Sequence, residues 1–135
     1  MENYEEVSQL TLTDDDRDAL LKNQNECVFV WRTSDGWPIG VVMSYVWRDG
    51  RRWLTASGQR PRVSAARRDD RVSVVISSAG MGTPPAAATI KGRCAILEDV
   101  ETKRFFYPVL AAALIPGNKR QQAGFVRMLD SPGES

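Results

Sequence analysis

The sequence predicts an α+β domain, a small antiparallel β-barrel with helices packed on it, and three observations carry that reading. The stretch from Cys27 to Ile76 reads as strand, turn, strand, turn, strand, a short basic turn or helix, then strand. Asp35-Gly36 and Asp49-Gly50 join the first three strands, and two consecutive hairpins of this kind favour an antiparallel meander. Beyond them the order strand, loop, strand, helix, helix sets helices against the barrel.

The elements follow in order. Thr13 is a helix N-cap, and Asp14, Asp15 and Asp16 place negative charge where first-turn amides and the helix dipole favour it. Ala19, Leu20 and Leu21 form the apolar side of this first helix, and Asn23 to Asn25 end it. Val28 to Trp31, Ile39 to Trp47 and Trp53 to Ala56 are rich in β-branched and aromatic residues and read as strands. The second is apolar on both faces (Val41, Val42, Met43, Tyr45, Val46), so both faces are expected to be covered. Arg71 to Ser77 is the fourth strand, Ser78 to Ala88 a loop with two glycines and two prolines, and Thr89 to Leu97 the fifth strand. A helical stretch begins at Glu98 or Asp99, with a kink or break expected at Pro108. Pro116-Gly117-Asn118 separates it from a last helix over Lys119 to Leu129. One domain over residues 1–135 is expected, with a closing strand beyond Ser135 or a partner chain covering the open edge.

Composition removes several function classes. With 18 basic and 17 acidic residues the net charge is +1, so no global field favours nucleic acid or an anionic membrane, and any anion site is local. There is no histidine, which removes Ser-His and Cys-His nucleophile pairs, imidazole metal ligands and histidine haem ligation. Cys27 and Cys94, the two cysteines, lie in apolar strand-like segments and read as small buried hydrophobes suited to a reducing cytoplasm. The acidic start MENYEEVSQL lacks the order of a signal peptide, and Gly80, Gly82, Pro84 and Pro85 interrupt the uncharged run from Val72 to Ile90 before it can span a membrane.

Chemistry concentrates where the third strand ends. Arg60, Arg62, Arg67 and Arg68 follow Thr55 and Ser57 there, an arrangement that suits a phosphate better than a core. Arg67 and Arg68, beside Asp69 and Asp70, read as surface ion pairs or helix-end charges. Trp31, Trp37, Trp47 and Trp53 read as core or interface aromatics, and Gly80-Met81-Gly82 as a flexible loop.

The run Asp35-Gly36-Trp37-Pro38, Ser44 to Thr55, Arg60-Pro61-Arg62, Ala66 to Ser73 and Ile90 to Ala95 resembles the split β-barrel group of flavin- and deazaflavin-binding proteins. That group includes the pyridoxamine-5′-phosphate oxidases and their small relatives, and the likeness extends over about residues 13–130. It implies an antiparallel split barrel with flanking helices and a homodimer with the cofactor at its interface. It implies a phosphate held by Arg60 and Arg62, with Thr55, Ala56 and Ser57 lining the strand end. Val41, Val42, Met43 and Ser44 would lie along the ring. The cofactor is FMN or the deazaflavin coenzyme F-420, with a slight preference for F-420. Arg48, Arg51 and Arg52 could meet the longer anionic tail of the latter, and the 14 arginines against 4 lysines suggest a GC-rich genome. The C-terminal arginine and histidine of true pyridoxamine-phosphate oxidases and the histidine of haem-degrading relatives are absent.

The implied function is a cytoplasmic, flavin- or deazaflavin-dependent oxidoreductase that transfers hydride to a small organic substrate. The alternatives are a non-catalytic dimer that binds or stores a flavin or another phosphorylated ligand, and a scaffold dimer with a vestigial pocket. The substrate pocket is expected from the Ser78 to Ala88 loop, the first helix and the second subunit, and no catalytic residue is assigned.

Overall fold

Both Asp-Gly sequences close hairpins, but the strands they join are not one meander. The computed structural model of the chain describes residues 12–56 and 60–130. At the first turn Thr33 accepts the Trp37 amide on its Oγ1 at 2.9 Å, and Gly36 takes a φ of 93°. At the second, Asp49 and Gly50 both have positive φ, 54° and 70°, the backbone that a tight two-residue hairpin requires. β1 (Glu26–Arg32) pairs with β2 (Pro38–Ser44) from Glu26↔Ser44 to Arg32↔Pro38. The other edge of β1 pairs with β5 (Arg71–Ser77), which in turn pairs with β6 (Ala87–Arg93). The sheet order is therefore β2-β1-β5-β6. β3 (Val46–Arg48) and β4 (Arg51–Trp53) form a separate two-stranded ribbon. Among the described residues no ladder joins the two sheets into a closed barrel.

Tyr45 divides what reads in sequence as one strand from Ile39 to Trp47. Its amide donates to the Asn25 carbonyl at 3.0 Å and its hydroxyl to the Leu21 carbonyl at 2.7 Å. Only 1% of the residue is exposed. The ring is thus drawn towards α1 (Asp14–Asn23), and the chain leaves the four-stranded sheet at that point. α1 itself begins as its sequence predicts, with Thr13 Oγ1 accepting the Asp16 amide at 3.1 Å.

Two helices behave differently at their prolines. Pro61 opens α2 (Pro61–Arg68), where a missing N–H costs nothing. Pro108 lies inside α3 (Val100–Leu114), which spans 15 residues without the break that was one of the two expected outcomes. Pro108 and Arg104, whose carbonyl the proline leaves without a helical partner, are both exposed, so water can satisfy it. The buried face, Phe106, Tyr107, Leu110 and Ala111, is untouched. Asp99 caps α3 by accepting the Thr102 amide at 2.9 Å, and α4 (Lys119–Leu129) matches its predicted bounds.

The interior comprises two apolar clusters. One joins Leu20, Leu21, Cys27, Phe29, Trp31, Met43, Tyr45, Ala65, Val74 and Ile76 between the sheet, α1 and α2. The other joins Phe106, Tyr107, Leu110 and Leu129 on α3 and α4. The ribbon is bound to the second cluster: the Trp53 ring meets Phe105 edge-on at 5.6 Å and lies 5.9 Å from Phe106. The Arg48 guanidinium lies 4.7 Å over the Phe105 ring. Trp31 is a core aromatic as expected, whereas Trp37 is 67% exposed at the tip of the first hairpin.

Tyr45→Phe is expected to lower stability by about 1–2 kcal/mol, because it leaves the buried Leu21 carbonyl without its donor; urea unfolding measures it. Burial raises the Cys27 thiol from an ordinary 9.0 to about 11 and the Tyr45 phenol from 10.0 to about 12. Each group favours the protonated, folded state, so its contribution is complete below its unfolded pKa and lost as pH rises through the folded one. Stability should decline from pH 9 upward, and Cys27→Ala should flatten the part between pH 9 and 11.

Candidate functional site

A cavity of about 570 Å³ lies between the two apolar clusters, within the size range of small-molecule sites. Phe29, Met43, Val72, Val74 and Ile90 of the four-stranded sheet form one wall. Opposite stand the β4 strand and its continuation through Ala56, together with Phe106 and Tyr107 of α3. α2 contributes Arg62, Val63 and Ala66, and the link from β6 to α3 contributes residues 94–98.

The cavity gathers part of the site predicted from sequence. Met43, Thr55, Ala56 and Arg62 all line it. The other candidates are distributed by strand geometry. Successive residues of β2 face opposite sides of the sheet, so Val41 and Met43 point to the core. Val42 and Ser44 project from the other face, where Val42 is 69% exposed. Four consecutive side chains of a strand therefore cannot all lie along one ring. Arg60 is the N-cap residue of α2 and does not line the cavity, and Ser57 lies outside the described residues. Neither α1 nor the loop after β5 borders the cavity, contrary to the expected substrate pocket. That loop is pinned instead: Ser78 Oγ accepts the Ala86 amide at 2.8 Å, and Gln24 Nε2 donates to the Ser77 carbonyl at 2.7 Å.

Charge is arranged unevenly around the cavity. Among the described residues, Arg51, Arg52, Arg62, Arg93 and Lys103 border it, against one carboxylate, Glu98, which is ion-paired with Arg67. Arg93 is held by Asp70 at 2.6 Å, and Arg71 by Asp69 at 2.8 Å, so the charged run from Arg67 to Arg71 is largely surface ion pairs. Arg52 lies 5.2 Å over the Trp47 ring.

Arg62 is different. Its Nε is sealed from solvent with no hydrogen-bond partner, the single such side-chain atom among the described residues. Burial, and then the charge of Arg60, push its guanidinium pKa below the ordinary arginine value. α2 starts with no side-chain cap and no acidic residue in its first turn. Two arginines beside an uncapped helix N-terminus form a place where an anion relieves an unfavourable arrangement.

Several lining residues were not singled out from sequence. Thr102, Lys103, Phe106 and Tyr107 form an i, i+4 stripe on α3, a spacing indistinguishable from an ordinary core-facing stripe. Cys94 borders the cavity as a free thiol, and burial pushes its pKa up, as it does for the buried Cys27. No described helix is long and apolar enough to cross a membrane, and no described cluster of acidic or cysteine side chains could hold a metal ion.

The sequence matches no protein-family model and no curated protein. The fold, however, is similar to several solved structures. The conserved hypothetical protein Rv2991 of Mycobacterium tuberculosis superposes with a TM-score of 0.75 at 17% identity, over 89% of this chain and 76% of that one. A candidate pyridoxamine 5′-phosphate oxidase of Listeria innocua gives 0.60 at 22%, over 78% and 82%. An FAD-binding protein of Mesorhizobium loti gives 0.62 at 20%, over 82% and 84%.

Arg62→Met is expected to stabilise the ligand-free protein by about 1 kcal/mol, because it removes a buried unpartnered donor while keeping the apolar stem. Thermal denaturation checks it. Inorganic phosphate should raise the midpoint of the wild-type protein and leave that of the variant unchanged.

Proposed function

We propose that this α+β chain is a split-barrel protein of the pyridoxamine-5′-phosphate-oxidase-like kind, binds FMN or coenzyme F-420 and acts as an oxidoreductase on a small organic substrate. One observation carries the reading: the sealed, unpartnered Nε of the half-buried Arg62, beside an uncapped helix start at the edge of an apolar cavity of about 570 Å³. Arg62, with Arg60 behind it, neutralises the phosphate, and the Thr55 hydroxyl adds a donor at the end of β4. Arginine offers paired donors in a fixed plane, which matches phosphate oxygens. Phe29, Met43, Val74 and Ile90 supply the apolar wall a planar ring system requires, and they exclude water from it. Both cofactors supply hydride chemistry when bound, so the protein needs to bind, orient and shield.

β2 bears on how a ring is held. It is an edge strand of the four-stranded sheet, so its outer backbone groups have no strand partner among the described residues. Those amides are available to ring carbonyls even though Val42 and Ser44 face away from the cavity. A second copy of the chain against this edge completes the proposed arrangement as a homodimer.

A parallel titration with FMN and F-420, followed by fluorescence, tests the reading. Micromolar or tighter binding of one cofactor is expected, and Arg62→Ala should weaken it by about 1.5–3 kcal/mol. Binding of neither would sink the proposal. Binding without turnover of any electron acceptor would leave a flavin-binding dimer in place of the enzyme.

A further inference from the structure

The end of the cavity farthest in sequence from Arg62 has its own polar equipment. Tyr107 on α3 is only 3% exposed and borders the cavity. No described residue bonds its hydroxyl, and that oxygen is not sealed from solvent, on a residue that lines the cavity. A phenol buried to this degree ordinarily finds a partner. The neighbouring Thr102 hydroxyl is already engaged with the Asp99 carboxylate at 2.7 Å, which leaves Tyr107 as the available hydroxyl on this face of α3.

Around it the wall is aromatic and cationic. Trp53 and Phe106 stand with Tyr107, the Phe106 and Tyr107 ring centroids being 6.2 Å apart. Lys103 precedes Tyr107 by one helical turn on the same face, and Arg51 enters from the ribbon turn at Gly50. The only carboxylate among the described residues of the wall, Glu98, is neutralised by Arg67. Leu97, half exposed, leaves an apolar lip.

We propose that this end of the cavity binds a planar aromatic ligand carrying an anionic oxygen group, a carboxylate or a phenolate, with Tyr107 as its hydrogen-bond donor. The ring lies against Trp53 and Phe106, and the oxyanion meets the Tyr107 hydroxyl with Arg51 and Lys103 nearby. Calling this ligand the substrate rests on the oxidoreductase reading; the binding site itself does not. An aromatic cation is rejected by the same wall, and a neutral amide of the same shape loses the charge-assisted bond.

Calorimetric titration of the cofactor-free protein with cinnamate, cinnamamide and cinnamylamine tests the assignment, with FMN titrated into the same preparations. Cinnamate should bind about tenfold or more tighter than the amide, and the amine least of all. Tyr107→Phe, which removes one oxygen from a side chain whose ring stays packed, should weaken cinnamate about five- to tenfold and leave FMN affinity unchanged. Arg51→Gln should narrow the gap between acid and amide. Equal binding of acid and amide, no effect of Tyr107→Phe, or no binding of any of the three overturns the proposal. Cinnamate binding with these preferences alongside failure of FMN would overturn the cofactor reading alone.

Discussion

Tyr45 sets the geometry on which everything else in this molecule depends. Its hydroxyl and amide are both bound to the stretch between Leu21 and Asn25, so the second strand cannot continue past Ser44 in the plane of its neighbours. The β3–β4 ribbon then departs, and Trp53 carries it to α3. Had the strand run straight on, the ribbon would extend the sheet and the two apolar clusters would merge. Their separation is what leaves a cavity with one aliphatic wall and one aromatic wall.

Stability and binding pull against each other at α2. Desolvating the Arg62 Nε without a partner is unfavourable, and Arg60 adds like-charge repulsion. A sequence selected for folding alone has little reason to keep either residue, since an aliphatic side chain fills the same volume at lower cost. Surface arginines nearby show the contrast: Arg67, Arg71 and Arg93 each face a carboxylate. The neighbourhood thus holds ordinary ion pairs and one strained exception. Strain of this kind concentrates where a ligand supplies the missing partner.

Local signals in the sequence were reliable guides, and non-local ones were not. The Asp-Gly turns, the Thr13 cap and the bounds of the last helix are each decided by a few adjacent residues, and each was legible. The return of β5 to β1, in place of β4, is a pairing across some forty residues that no local pattern encodes. Whether Pro108 ends its helix depends on which side of the helix it occupies, and periodicity alone does not say which side faces water. In the site, Arg62 stood out by its position after Thr55, whereas Tyr107 was hidden in a stripe that looks like core. Read as one apolar strand, Val41 to Ser44 promised a continuous ligand surface, but alternation divides those side chains between two faces.

No wall of the cavity carries an imidazole, the side chain whose ordinary pKa falls between 5 and 8. Its positive field comes from arginine and lysine, and the Cys94 thiol is pushed further from neutrality. A cavity without imidazole lacks the side chain that ordinarily changes charge in that range, so a pH dependence of occupancy is expected to come from the guest. A phosphate monoester, whose second ionisation lies near 6, would gain a charge on passing that value. A carboxylate, already ionised, would register nothing. Occupancy of such a cavity is expected to follow the ligand's own protonation.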